Sequence, residues 1–154
     1  MWEHRITKYN PNKRDEFGRY LDAKEWTEFS EVGENVSLEE YERVETLYVD
    51  AAHQLITGGG IKKLKLIDLE DNEKHCPYRN NETITIENLK HVVRSILRRE
   101  YWAKLESDIG FIHIGWDYYM YVGTEATNEL AIRRIADSGL YVEQTSSPYN
   151  EQDS

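Results

Sequence analysis

Residues 110–124 form the longest run of the chain in which aromatic, β-branched and glycine residues replace the charged residues that are frequent elsewhere. The pattern predicts two strands, residues 111–114 and 118–122, joined by a turn at residues 115–117. Successive strand residues face opposite sides of a sheet, and this segment has large side chains on both sides. We therefore expect one side of the hairpin to face the core and the other to face a helix, a partner or a ligand.

A first helix is indicated by a capping box, in which Ser37 is followed by Glu40, and by apolar residues at helical spacing as far as Ile56. The glycines at residues 58–60 end this helix. They do not form a phosphate-binding loop, because such loops lead from a strand into a helix, whereas these glycines lead from a helix into a strand.

Two further helices are predicted where apolar residues again recur at helical spacing. One begins after Thr85, and the other covers residues 128–136 with Thr127 as its N-cap. The remaining segments with the composition of strands are residues 2–9, 26–30, 61–69, 101–106 and 140–144.

The predicted order is two strands, helix, strand, helix, three strands, helix and strand. This order is typical of an α+β fold, and we predict a single domain over residues 1–154 with a largely antiparallel sheet and about three helices on one face. A chain of 154 residues can bury a substantial core without disulfide or metal staples. Polar segments predict long loops at residues 12–24 and 70–81 and a flexible tail at residues 145–154.

The charge balance restricts the class of partner. The chain has 29 Asp and Glu against 19 Lys and Arg, a formal charge of −10. This charge argues against nucleic-acid and anionic-membrane binding and fits a basic protein partner, although acidity also serves solubility. The single Cys76 fits a reducing compartment, and no apolar run approaches the roughly 20 residues that span a bilayer. Because the amino terminus also lacks an apolar signal sequence, we expect a cytoplasmic protein.

Motifs for catalysis or metal binding are missing from the sequence. The five histidines are scattered, and none lies beside a recognised nucleophile motif. Residues 70–81 have neither the carboxylate spacing of a calcium loop nor the Cys and His spacing of a zinc site. We predict no catalytic residue, no metal and no cofactor. The alternative is a small hydrolase or transferase in which His113 acts as acid or base and Asp117 orients it.

Binding is favoured by the aromatic content, since Tyr, Trp and Arg dominate protein interfaces and the chain has 11 Tyr and 4 Trp. At least half of the hairpin rings must fill the core, because successive strand residues cannot all be exposed. Carboxylates on the outer face of the first helix are expected to steer a basic partner. The predicted partner-binding residues are Trp116, Asp117, Tyr118, Tyr119 and Tyr121 of the hairpin and Glu39, Glu42 and Glu45 of the helix.

Five segments together resemble a family of small, mostly uncharacterised bacterial proteins: KYNPNKRDEFGRY, EWTEFSEVG, SLEEYERVETLYVDAA, FIHIGWDYYMYVGT and GLYVEQTSSPY. The resemblance covers most of the chain and implies no catalytic residues. Small acidic proteins of this kind are similar in character to immunity proteins of bacterial toxin systems. The resemblance implies an immunity or antitoxin-like protein that neutralises a basic toxin by occlusion. An interaction subunit of a larger assembly is a further alternative.

Overall fold

The computed structural model describes residues 1–10 and 25–150. The helices of this part are α1 (Leu38–Gly58), α2 (Ile86–Leu97), α3 (Glu129–Asp137) and a short 3-10 helix (Phe29–Glu31). The strands are β1 (Trp2–Thr7), β2 (Lys63–Glu70), β3 (Thr83–Thr85), β4 (Trp102–Ser107), β5 (Gly110–Ile114), β6 (Met120–Thr124) and β7 (Tyr141–Gln144). Among these helices, none combines the length and the apolar character needed to cross a membrane.

The seven strands form one sheet in the order β3-β2-β4-β5-β6-β1-β7, and every neighbouring pair is antiparallel. The register is fixed by pairs such as Leu105 with Ile112 and Ile112 with Val122. The prediction of a single α+β domain with a largely antiparallel sheet is therefore confirmed. Every residue of the two central strands, β5 and β6, is buried.

The three α-helices share one hydrophobic core with the sheet. Residues that are paired across the strands point to the same face, so Ile6, Ile114 and Met120 lie together on the core face. The opposite face carries polar and aromatic side chains, including His113, which lies in the same row as Tyr121. The two faces of the hairpin are thus divided by the strand alternation that the sequence predicts.

Two of the predicted helix starts are confirmed, and the third shifts by one residue. Ser37 Oγ accepts a hydrogen bond from the backbone N–H of Glu40 at 3.1 Å, one of the two bonds of a capping box, and the Glu40 carboxylate is bonded by Arg43. Thr85 is the N-cap of α2. In α3 the N-cap is Asn128 rather than Thr127, because the Asn128 side chain accepts the N–H of Ala131 at 3.1 Å.

The amino-terminal half departs from the prediction at two places. The expected strand at residues 26–30 is wrong: Trp26 packs in the core, and a 3-10 helix follows it. The Glu31 carboxylate accepts the backbone N–H of Thr27 at 2.7 Å and so satisfies a group that would otherwise belong to a strand ladder. The three-residue strand β3 was not predicted, since a strand so short has no readable alternation. The predicted loop at residues 12–24 falls within residues 11–24, which lie outside the described part of the chain.

The carboxyl-terminal segment contacts the rest of the protein as far as Asn150, and the end of the predicted flexible tail, residues 151–154, lies outside the described part of the chain. The backbone N–H of Thr145 donates to the carbonyl oxygen of Glu3 at 3.2 Å. The side chain of Glu3 then accepts hydrogen bonds from Ser147 N–H at 3.1 Å and from the Asn150 amide. These contacts draw the segment over the sheet face that the helices leave open.

Candidate functional site

The turn between β5 and β6 presents an aromatic side chain at the surface. Trp116 is 47% exposed, although the strands on either side of it are buried. Its ring stacks on that of Trp102, with centroids 6.4 Å apart and planes at 24°. Trp102 is itself fixed, because its indole N–H donates to the carbonyl oxygen of Ile114 at 2.7 Å. The β4–β5 register explains this contact: Leu105 pairs with Ile112, so Trp102 lies opposite the start of the turn.

Tyr118, at the end of this turn, has a strained backbone conformation. It has φ +63°, a region that bulky residues rarely adopt, and such a residue costs about 1–3 kcal/mol. The surrounding core stabilises the turn in compensation. The hydroxyl of Tyr48 donates to the Tyr118 carbonyl oxygen at 2.7 Å, and that of Tyr9 donates to the Asp117 carbonyl oxygen at 2.9 Å. The buried Tyr118 ring packs edge-on against Trp26, with centroids 4.9 Å apart. The aromatic core thus determines where the turn projects Trp116.

A second strained residue, Arg99, lies at the end of α2. The backbone N–H of Arg99 donates to the Ile96 carbonyl and that of Glu100 donates to the Ser95 carbonyl, both at 3.0 Å, which is the Schellman pattern of a helix end. Glycine usually takes the position of Arg99, where φ is +61°. The arginine side chain extends over the Trp116 ring, with Cζ 4.9 Å from the ring centroid.

A cleft of about 330 Å³ opens beside these rings. We call it the Trp116 cleft, and its polar and aromatic lining includes Glu70, Glu73, Arg98, Arg99, Glu100, Trp102 and Trp116. Both arginines are paired with carboxylates outside the lining, Arg98 with Glu45 at 2.7 Å and Arg99 with Glu28 at 3.1 Å. Within residues 1–10 and 25–150, no Lys or Arg forms an ion pair with Glu70 or Glu100. The cleft therefore has an excess of negative charge.

The outer face of α1 differs from the expected solvent-facing acidic stripe. Glu39 and Glu42 are exposed, but Glu45 is only 1% exposed. The Glu45 carboxylate lies 3.1 Å from Nε of Arg94 and 2.7 Å from Nε of Arg98, both on the neighbouring end of α2. Glu45 thus joins two helices, and the prediction that it faces a partner is wrong.

The other predicted hairpin residues lie at different depths. Tyr118 and Tyr121 are buried, so they cannot contact a partner directly and that expectation is corrected. Tyr119 is half-buried, and the Arg5 guanidinium lies 4.8 Å from its ring centroid. Asp117 is exposed, and its carboxylate accepts the backbone N–H of Tyr119 at 3.3 Å. Trp116 and Asp117 are therefore the residues that the turn exposes.

The enzymatic alternative requires Asp117 to orient His113, but the structure pairs His113 with other residues. His113 is fully buried, with Nε2 2.6 Å from Oε2 of Glu106 and Nδ1 2.8 Å from Oγ of Ser147. Burial lowers the pKa of His113, and the Glu106 carboxylate offsets part of this effect. In the neutral ring, Nε2–H donates a hydrogen bond to the Glu106 carboxylate, and Nδ1 accepts a hydrogen bond from the Ser147 hydroxyl.

Hydrogen bonds join Ser147, His113 and Glu106 in a row, and a serine, a histidine and a carboxylate are the residue types of a catalytic triad. Access argues against that role here, because His113 and Ser147 are both buried. Ser147 Oγ also accepts the backbone N–H of Tyr149 at 3.1 Å, and the Tyr149 ring stands edge-on to the imidazole with centroids 6.3 Å apart. The row serves to attach the carboxyl-terminal segment to the sheet.

Comparisons of the chain with protein-family models, curated proteins and solved structures find no match, so the function is argued from geometry. In the described part of the chain, no three His, Cys, Asp or Glu side chains are grouped so as to hold a metal ion. Sequence reasoning identified Trp116 but missed Arg99, Trp102 and Glu100. One signal was available for Arg99, since the α2 pattern ends there without the glycine that usually follows a helix.

Proposed function

We propose that the protein is a non-enzymatic binding module that captures a basic protein partner at the Trp116 cleft. The observation that carries the proposal is the half-exposed Trp116 ring, fixed against Trp102 and placed by a strained turn. Tryptophan is among the residues that contribute most to interface affinity, and a side chain that is already ordered loses little entropy on binding.

Charge supports a basic partner. The chain has a formal charge of −10, and no Lys or Arg of residues 1–10 and 25–150 forms an ion pair with the Glu70 or Glu100 carboxylate of the cleft. This negative charge speeds the association with a positively charged protein and disfavours the binding of nucleic acid. Within this class we favour an immunity or antitoxin-like role in the cytoplasm, in which the protein covers the basic site of a toxin.

Two exposed tryptophans allow a matched test. Trp116 is 47% exposed and Trp2 is 46% exposed, but Trp2 lies on β1, where it pairs with Thr124 at the far end of β6 from the turn. Tagged protein is incubated with lysate of the source organism at low and moderate salt, and the captured protein is identified by mass spectrometry and purified. Its affinity for wild type, Trp116→Ala and Trp2→Ala is then measured by calorimetry.

We expect one basic partner that is held more weakly as salt rises. Trp116→Ala should weaken binding by at least about 2 kcal/mol, while Trp2→Ala changes it by less than about 0.5 kcal/mol. Circular dichroism and urea unfolding check that both variants keep the fold. Equal affinities for wild type and Trp116→Ala would remove the Trp116 cleft from the interface.

A further inference from the structure

The protein itself shows which side chain the Trp116 cleft can hold. The Arg99 guanidinium lies with Cζ 4.9 Å from the Trp116 ring centroid, and its Nη1 lies 3.1 Å from Oε2 of Glu28. An aromatic face and a carboxylate together form the usual environment of a bound guanidinium, because the ring attracts the cation and the carboxylate accepts its N–H groups. Trp116 and Glu28 therefore already form a guanidinium site.

This internal guanidinium is held only weakly. The side chains of Arg99 and Glu28 are 31% and 32% exposed, so solvent screens their ion pair and such pairs contribute about 0–1 kcal/mol. An incoming group can displace the Arg99 side chain at small cost, and Glu100, the next residue, can pair with the displaced cation.

We propose that an arginine of the partner protein takes the place of Arg99 on the Trp116 ring. The inference rests on the proposed function and names the chemical group that the cleft recognises. Arginine fits better than lysine, since its planar guanidinium stacks on indole and binds a carboxylate through two N–H groups, whereas an ammonium is a strongly hydrated point charge. Arg99 acts as a stand-in that keeps Trp116 and Glu28 in place until the partner binds.

The test uses triarginine and trilysine peptides, which carry the same charge, with the full-length protein. The indole N–H signal of Trp116, assigned by its loss in Trp116→Ala, is followed by NMR during titration. Triarginine should shift this signal saturably and bind at least about threefold more tightly than trilysine, an advantage in the range of an exposed cation–π contact. Trp116→Ala should remove the advantage of triarginine.

Arg99→Gly tests whether the arginine is a stand-in. Glycine suits the left-handed position, so this variant should fold, and triarginine should bind it at least about threefold more tightly because the internal competitor is gone. The loss of any positive charge from the protein raises its affinity for a cationic peptide to some extent. Arg133, which is exposed on α3, provides the control for this general effect. Arg133→Ala should change triarginine affinity by less than about 1.5-fold, since screening weakens distant charges.

Each outcome separates this inference from the proposed function. Equal binding of the two peptides, with no shift at Trp116, would show non-specific attraction and overturn the arginine site. Weaker triarginine binding to Arg99→Gly would show that Arg99 is part of the binding surface, not a stand-in. If triarginine fails but capture of the partner still depends on Trp116, the inference is wrong and the proposed function stands.

Discussion

Oε2 of Glu45 lies 2.7 Å from Nε of Arg98, so a carboxylate on α1 is buried against a guanidinium at the end of α2. Helical spacing alone assigns Glu45 to the solvent-facing side of α1, together with Glu39. The ion pair fixes the relative position of the two helices, and α2 ends at Leu97, two residues before Arg99. The same contact therefore places one wall of the Trp116 cleft.

Glu45→Gln should destabilise the protein by about 2 kcal/mol, because Arg94 loses its carboxylate partner and Arg98 keeps only that of Glu42 at 3.5 Å. Glu39→Gln is the matched control, since Glu39 is exposed on the same helix, and it should change stability by less than about 0.5 kcal/mol. Urea unfolding measures both free energies of unfolding. Equal stability of the two variants would contradict the structural role of Glu45.

Tyr48→Phe should cost about 2 kcal/mol of stability. The Tyr48 hydroxyl accepts the Lys8 backbone N–H at 2.7 Å and donates to the Tyr118 carbonyl oxygen at 2.7 Å, so its loss removes a partner from one part-buried and one buried backbone group. Tyr141→Phe removes a hydroxyl at the surface and should be close to neutral. Thermal unfolding compares the variants, and a loss no greater than that of Tyr141→Phe would mean that Tyr48 does not hold the turn.

Ser147→Ala should destabilise the protein by about 1–2 kcal/mol. It removes the partner of the buried His113 Nδ1 and the acceptor of the Tyr149 backbone N–H. The neighbouring Ser146 is exposed, so Ser146→Ala is a direct control. Urea unfolding gives the free energies, and limited proteolysis shows whether the carboxyl-terminal segment becomes easier to cleave. Identical behaviour of the two variants would argue that the segment is not attached through Ser147.

Acidification should weaken the fold through His113. Its pKa is lowered by burial, so below the unfolded value of 6.5 the unfolded chain binds a proton that the folded protein excludes. The stabilisation is present above pH 6.5 and is lost as pH falls towards the folded pKa, at up to about 1.4 kcal/mol per pH unit for one proton. Urea unfolding between pH 7.5 and pH 5 measures the slope, which should be smaller in His113→Gln. An unchanged slope in that variant would assign the pH dependence to other groups.

The sequence by itself determined the fold class and most of the elements. The composition of β5 and β6, the N-cap serine of α1 and the periodicity of α2 are local patterns, each of which is read from residues close together in the chain. Trp116 was predicted as a partner-binding residue for its aromatic character alone, together with Tyr118 and Tyr121, which the structure buries. The strand β3 was missed because it has only three residues. Residues 26–30 were wrongly predicted as a strand, because the Glu31 side chain, not a neighbouring strand, accepts the backbone N–H of Thr27.

Only the tertiary structure decided which residues surround Trp116. The β4–β5 register brings Trp102 beneath it, and the end of α2 brings Arg99 above it, although neither residue is near Trp116 in the sequence. The burial of Glu45 and the pairing of His113 with Ser147, 34 residues away, are likewise long-range. Local patterns record the preference of each residue for core or solvent, whereas these contacts depend on how distant elements pack, and packing is a property of the whole chain.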